Sequence, residues 1–231
     1  MQTPNSVLGE RLKEVLQAHV NNHIVCLPYG WKSKKGLIKR NKLWWTWFVA
    51  DNYKLLINDI DSERTYYNTN FTRFYMDIAD KHSETMKKYV ERFRKIWENR
   101  DVCLVEGERT RFGVGNDFLD NAKTVKRIIC PSKDAFDKYQ DIYNAVYSNV
   151  SKDVMILCAL GMTATVLAYD LAKVGYQAID IGHADIEYEW YKKGVDKKVP
   201  IEGKNVNELG ILNPEAPHDS KYESETIAKV L

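Results

Sequence analysis

The sequence predicts an α/β fold, a Rossmann-like and mostly parallel sheet flanked by helices. Two observations carry this. Between residues 101 and 193, short apolar runs of strand length alternate with segments of helical period. The connections between them are short, and such βαβ units close as parallel sheets with right-handed crossovers. Composition agrees: 231 residues that are 44% hydrophobic and 29% charged suit one soluble domain with a proper core.

In chain order, Leu8, Leu12, Val15 and Leu16 recur at helical spacing across residues 8–19. Residues 24–28 read as a short strand stopped by Pro28 and Gly30. Residues 32–42 are basic and polar, a solvated loop or helix start. Residues 44–57 lean to helix and 71–76 to strand. Residues 82–99 carry a helical stripe of Met86, Val90, Phe93 and Trp97. Residues 102–106 form a strand that enters a glycine loop over 106–117, with a helix expected at 118–123. Residues 125–130 are a strand closed by Pro131. Residues 133–149 are helical, with Ser132 as N-cap. A strand at 154–159, a helix at 164–174 ended by Gly175, a strand at 177–181 and a helix at 185–193 complete the pattern. Residues 1–212 are thus expected to be one domain, with its core at about 101–193. Residues 213–231 read as a polar C-terminal tail, frayed for want of a core pattern.

Bulk properties narrow the function. A net charge of +2 gives no argument for nucleic acid. No apolar run approaches the ~20 residues that span a bilayer, so no transmembrane segment is expected. The four cysteines lie far apart in apolar runs, as buried thiols do, and no signal peptide precedes them. A reducing, cytoplasmic location follows as the expectation. The aromatic clusters at 43–48 and 66–75 favour core packing over a sugar-stacking platform.

In a parallel sheet the loops after successive strands open on one edge, where ligands bind. The first loop offers Arg111, Gly113, Gly115, Asn116 and Asp117. Glycine admits backbone N–H groups to an anion, and arginine adds fixed positive charge. The spacing G-V-G-N-D-F departs from the full dinucleotide pattern, so an ordinary tight loop stays open beside a nucleotide or diphosphate site. The second loop sets Gly161 before a helix whose first turn carries Thr163. The third places Asp180, His183, Asp185, Glu187 and Glu189 within ten residues, with Asp185 and Glu189 on one helix face. A carboxylate and a histidine there can orient a sugar hydroxyl, remove its proton or hold a divalent metal. Simple pairing with the helix dipole also accounts for Asp185. Arg73 is a second anion contact or a surface residue. His19, His23, His82 and His218 show no partner pattern. A dehydrogenase or methyltransferase is disfavoured, because residues 125–131 hold no carboxylate to bind a ribose.

Four blocks in order, V-E-G-E-R-T-R-F-G-V-G-N-D-F-L-D-N-A, R-I-I-C-P-S-K-D-A-F-D-K-Y, A-L-G-M-T-A-T-V-L-A-Y-D-L and G-Y-Q-A-I-D-I-G-H-A-D-I-E-Y-E-W, resemble the GT-D-fold glycosyltransferases. The resemblance spans about residues 8–207. It implies a Rossmann-like fold of GT-D type. It also implies Mn²⁺- or Mg²⁺-dependent transfer of a hexose from a UDP-sugar, typically UDP-glucose, to a glycan on a surface glycoprotein, in the cytoplasm before export. By resemblance, Arg111, Gly113, Gly115, Asn116 and Asp117 line the donor site, Gly161 and Thr163 lie near the nucleotide, and Arg73 contacts substrate. His183, Asp185 and Glu189 face the reacting centre, with Glu189 as general base and Asp185 as the alternative. The family's D-G-E signature, whose D-x-E holds the metal on an early strand, does not occur here. Asp185-Ile186-Glu187 is formally a D-x-E in a later block and is not taken as its replacement, so the metal ligands stay unassigned. The absence raises a second expectation: a truncated, non-catalytic fragment that binds nucleotide or a partner protein. Loss of a core strand would also expose sheet edge and favour a homo-oligomer.

Overall fold

A computed structural model describes residues 2–211 and 215–231, the Leu56 side chain excepted. The elements run α1 (Ser6–Gln17), β1 (Cys26–Leu27), α2 (Lys39–Asp59), β2 (Tyr67–Asn68), α3 (Glu84–Arg94), β3 (Asp101–Gly107), β4 (Thr124–Cys130), α4 (Tyr139–Asn149), β5 (Met155–Ala159), α5 (Met162–Lys173), β6 (Ala178–Asp180), α6 (Ala184–Lys193), α7 (Ser220–Glu225) and β7 (Thr226–Lys229).

Alternation along the central strands builds two cores. Val102 and Leu104 of β3, with Met155 and Leu157 of β5, face one side; Cys103, Val105, Ile156 and Cys158 face the other. Each face must be covered, as a period of two with apolar residues at every position demands. On the first face lie Met86, Val90 and Phe93 of α3, the neighbouring Trp97, and Ile186, Tyr188 and Trp190 of α6. On the second lie Ile142 and Val146 of α4 with Ala164, Leu167 and Leu171 of α5. The sheet has the order β6-β5-β3-β4-β7, and every pairing in it is parallel. This is the predicted three-layer α/β fold.

Chain order reverses at β3: the next strand, β4, lies on one side of it and β5 on the other. The crevice outside the carboxyl ends of β3 and β5 is therefore the topological switch point of the sheet.

Four local expectations fail for identifiable reasons. Residues 118–123 form separate turns rather than a helix. The Asn116 side chain accepts from the Phe118 N–H, and Asp120 and Ala122 donate to carbonyls three residues back. Residues 71–76 are not a strand. The Tyr75 and Met76 N–H groups bond the Glu187 carboxylate, and Phe74 packs on Tyr89 and Phe93 of α3. Ser132 does not cap a helix; its hydroxyl accepts from the Arg109 N–H, and a short 3₁₀ turn at Ala135–Lys138 precedes α4. The tail is not frayed. Asp219 caps α7 by accepting from the Tyr222 N–H, and β7 pairs with β4 at the sheet edge. Ile227, Ala228 and Val230 pack on the second core. The domain boundary expected at 212–213 lies outside the described residues.

Candidate functional site

The switch-point crevice opens into a cavity of about 560 Å³. Four of the five strands deliver residues to it: Gly107 at the end of β3, Pro131 and Ser132 after β4, Leu160 to Met162 after β5, and Asp180, Gly182 and His183 at and beyond the end of β6. Such convergence is the ordinary consequence of parallel strands, and it makes this edge the place to look for chemistry.

One part of the site is a helix start. Gly161 is the N-cap of α5, with φ 58° and ψ −140°, a conformation glycine alone adopts easily. No side chain caps this end. The N–H groups and positive dipole end of a twelve-residue helix therefore stay available to an anion in the cavity. Exposed Met162 stands beside them.

A second part is a charged trio. His183 precedes α6, and its Nε2 lies 3.0 Å from Glu208 Oε2. The pair is close but poorly aligned for a hydrogen bond, and neither atom has another hydrogen-bond partner among the described residues. Catalytic contacts are often loose in this way before substrate binds. Arg73 donates to Glu208 Oε1 at 2.8 Å. Burial alone would raise the Glu208 carboxyl, but His183 and Arg73 together hold it well below the usual carboxylate range.

A third part is Asp180, half-buried at the end of β6. Burial pushes its carboxyl up to about 6, partly offset by the Thr165 hydroxyl at 2.7 Å and the Gly182 N–H at 3.1 Å. A carboxyl pushed up inside a cleft is a functional signal.

The expected site residues divide. Arg73, Gly161, His183 and Asp185 line the cavity. Thr163 does not; it is fully buried, its hydroxyl has no partner, and Thr165 takes the cavity wall instead. The expected base Glu189 also stands back from the cavity. Asn116 donates to Asp185 at 2.9 Å and to Glu189 at 2.7 Å. The Lys204 ammonium sits between the same two carboxylates, 2.7 Å from Asp185 Oδ2 and 3.0 Å from Glu189 Oε1. Their predicted shared face is real, but it is turned inward. Glu187 is a structural anchor for Tyr75 and Met76.

The glycine loop departs further. Of its residues, Gly107, Thr110 and Phe112 reach the large cavity, and none of the five expected donor contacts does. The Gly113 N–H donates to Asp185, and Asp117 accepts from Tyr188 and pairs with Lys192 and Arg94. Gly113, Gly115, Asn116 and Asp117 line a separate cleft of about 280 Å³ against the tail. Arg111, buried, donates to the Pro217 carbonyl and lies over the Tyr222 ring, 4.9 Å from its centroid.

The divalent ion implied by the resemblance meets a poor donor set. Among the described residues no three His, Cys, Asp or Glu side chains converge as a cation site. Asp180, Asp185 and Glu208 already accept from Thr165, Lys204 and Arg73. A protein-held Mn²⁺ or Mg²⁺ does not fit these residues.

Sequence reasoning missed Lys204, Glu208 and Thr165. Lys204 and Glu208 fall after the last periodic segment, where no spacing rule applies. Thr165 sits two residues beyond Thr163 on α5, past the first-turn position that the pattern pointed to.

Residues 1–209 match the profile of the family described as glycosyltransferase GT-D fold. Glycosyltransferase GlyD of Streptococcus pneumoniae serotype 4 (strain ATCC BAA-334 / TIGR4) is 35% identical over 226 residues, 97% of this chain and 26% of that protein. A probable glycosyl transferase Gly of Streptococcus gordonii is 39% identical over 166 residues, 71% of this chain and 24% of its own. The chain thus spans about a quarter of the length of the curated relatives it matches. A solved structure of domain of unknown function 1792, described as a distinct glycosyltransferase fold, superposes with a TM-score of 0.93 at 34% identity, covering 99% of this chain and 82% of that one. A glycosyltransferase of the same domain type from Streptococcus sanguinis gives 0.93 at 33% identity, covering 100% and 85%. Sequence profile, relatives and superposition agree: the chain belongs to the GT-D-fold glycosyltransferase family.

Proposed function

We propose that this domain transfers a hexose, glucose by family resemblance, from a UDP-sugar to a hydroxyl of a glycan on a glycoprotein acceptor. The observation that carries the reading is one cavity that holds both an uncapped helix start and the His183–Glu208–Arg73 trio. The α5 N-terminus binds the diphosphate and favours the negative charge that grows on it as it leaves. Glu208 holds Nε2 of His183, which leaves Nδ1 to take the acceptor proton. The acceptor oxygen then bonds to the sugar C1 as the C1–O bond to the diphosphate breaks. UDP departs with that bond's electrons. His183 replaces Glu189 as the base in this account because it lines the cavity and Glu189 does not. A cytoplasmic site of action goes with the reading; the free, buried thiols of Cys103, Cys130 and Cys158 support a reducing compartment.

A second reading, a non-catalytic nucleotide- or partner-binding module, is favoured by the lack of a three-ligand cation cluster among the described residues. Calorimetric titration with UDP, with and without Mn²⁺, tests the donor site when run beside Met162→Glu, and glucosyl transfer by the same protein separates the two readings. An acidic residue at a helix start stabilises the fold yet repels a diphosphate. Saturable UDP binding, weakened about tenfold or more in the variant at unchanged melting temperature, supports the donor site. Binding that requires Mn²⁺ would return the metal to the mechanism. No binding under either condition would leave the module reading.

A further inference from the structure

Two features stand outside the transfer site. One is α2, a 21-residue helix whose described packing is against α1 and the short turn Tyr29–Trp31. Trp45 anchors it: the ring lies so close to Gly30 that a Cβ there would come within 2.2 Å. Most of its other described side chains are exposed, with Phe48, Val49 and Asn52 among those half-buried. Leu43, Trp44, Trp47, Tyr53, Leu55 and Ile57 are exposed, with Trp47 and Leu55 each at 68%. Isolated exposed apolar residues need no explanation, but six on one helix mark a docking face.

The other feature is the basic run beside it. Lys32, Lys34, Lys35, Lys39, Arg40 and Lys42 fall within residues 32–42, a stretch with no acidic residue. Among the described residues none of these six makes an ion pair, and all but the half-buried Lys34 are exposed. Cations and rings share one side of α2 with one exposed carboxylate, Asp51, which follows Trp47 at i+4. Lys39, Leu43 and Trp47 follow at i, i+4 and i+8, Arg40 and Trp44 at i and i+4, and Lys54 lies seven residues beyond Trp47.

We propose that α2 and the basic run before it dock the domain on an anionic lipid surface. Tryptophan sits at the headgroup level of a bilayer, where its ring is half apolar and half polar. Lysine and arginine on the same helix add attraction to anionic lipid, and the combination marks interfacial rather than spanning helices. Length and polarity agree, since no helix among the described residues is long and apolar enough to cross a membrane. A second copy is a poor occupant. A two-fold interface centred on the basic run would bring like charges together, and one centred further along α2 would leave the basic run unpaired. The inference is independent of the transfer reaction, and its test reads no catalysis.

The test is flotation of the domain with vesicles of phosphatidylcholine alone or with phosphatidylglycerol added, at low and high salt. The tryptophan emission is followed in the same samples. The expected result is co-flotation with the anionic vesicles, a blue shift of emission, and loss of both at high salt. Reversing Lys32, Lys35, Lys39 and Arg40 to Glu is expected to lower binding at least about tenfold, as is the pair Trp44→Ser and Trp47→Ser. Both sets change surface positions, and an unchanged melting temperature confirms that the fold is kept. Equal binding to neutral vesicles, or full binding by the charge-reversed variant, overturns the proposal. So does a doubled mass in solution that Trp47→Ser abolishes, with no flotation, because the face would then join two copies.

Discussion

Two edges of the same sheet carry many charged residues, and they behave oppositely. Beneath β4 and β7 the buried charges are matched. Arg127 donates to Glu106 at 2.6 Å, to the Phe112 carbonyl at 2.9 Å and to Glu225 at 2.7 Å. The Tyr222 ring lies between Arg127 and Arg111 within cation–π range of both. At the ends of β5 and β6 the groups are under-satisfied instead. The α5 start has no cap, the His183–Glu208 contact is misaligned, and burial pushes Asp180 up to about 6. A charge with all its partners in place is scaffold; a polar group held short of its partners is where a ligand enters.

The largest expected effect breaks the matched edge. Glu106 is fully buried in the central strand, where burial raises its carboxyl and Arg127 pulls it back. Arg127→Met leaves that carboxyl buried without its cation, which costs on the order of 3–5 kcal/mol. Denaturant unfolding should show this loss, and the double change with Glu106→Gln should recover much of it. A loss below about 1 kcal/mol would mean that Glu106 is already neutral in the folded protein. Turnover per folded molecule should stay unchanged.

His183→Asn reverses that pattern. Removing a general base lowers turnover roughly 10²-fold or more. The side chain sits at the rim of α6, so stability should hold within about 1 kcal/mol. Glucosyl transfer from UDP-glucose to an acceptor glycan, read beside thermal melts, checks both. Unchanged turnover would remove His183 from the mechanism.

Much of this contrast was hidden in the sequence. The strands β3 to β6 and helices α3 to α6 were legible because burial on both faces imposes clear periods on Val102 to Val105, Met155 to Ala159 and the α3 stripe. The edge strand β7 was not, although Asp219 as a cap and Ile227, Ala228 and Val230 as core contacts are visible in hindsight. Four short apolar residues after a polar stretch read as tail because nothing local shows that a distant strand waits for them. The site was half legible. Strand ends named Gly161, His183 and Asp185, since sheet topology alone fixes where those ends point. The glycine loop misled, because glycine and arginine suit a phosphate and an internal clasp equally well. Lys204 and Glu208 reach their carboxylate and histidine partners only after folding.

Asp180→Asn sharpens the open edge more gently. The folded carboxyl titrates near 6, above its ordinary value of 3.8. Between these values the folded state binds the proton more tightly than the unfolded one, so stability falls as pH rises through that window. Above it the full penalty remains, at most about 3 kcal/mol. The amide keeps one acceptor oxygen, for the Gly182 N–H, and its NH2 can donate to the Thr165 hydroxyl, but it carries no charge. The variant should therefore melt higher at neutral pH, and the gain should vanish below about pH 4. A gain independent of pH would point to packing rather than charge. Weaker UDP-sugar binding in the same variant would show that the carboxylate is retained for function at a cost in stability.

The smallest expected effect is the sharpest test of the comparison. The glycine-loop pattern makes Arg111 a donor contact. The structure instead lays its guanidinium against Tyr222, the Pro217 carbonyl and Asp219, lining a different cavity of about 360 Å³. Arg111→Ala should leave UDP affinity within about twofold while lowering stability by about 1 kcal/mol through the lost ring contact. Calorimetric titration beside a thermal melt decides it. A tenfold loss of UDP affinity with no loss of stability would make the glycine loop part of the donor site after all. It would also mean that the tail swings away when the donor binds, since Tyr222 and Pro217 hold Arg111 in the structure described.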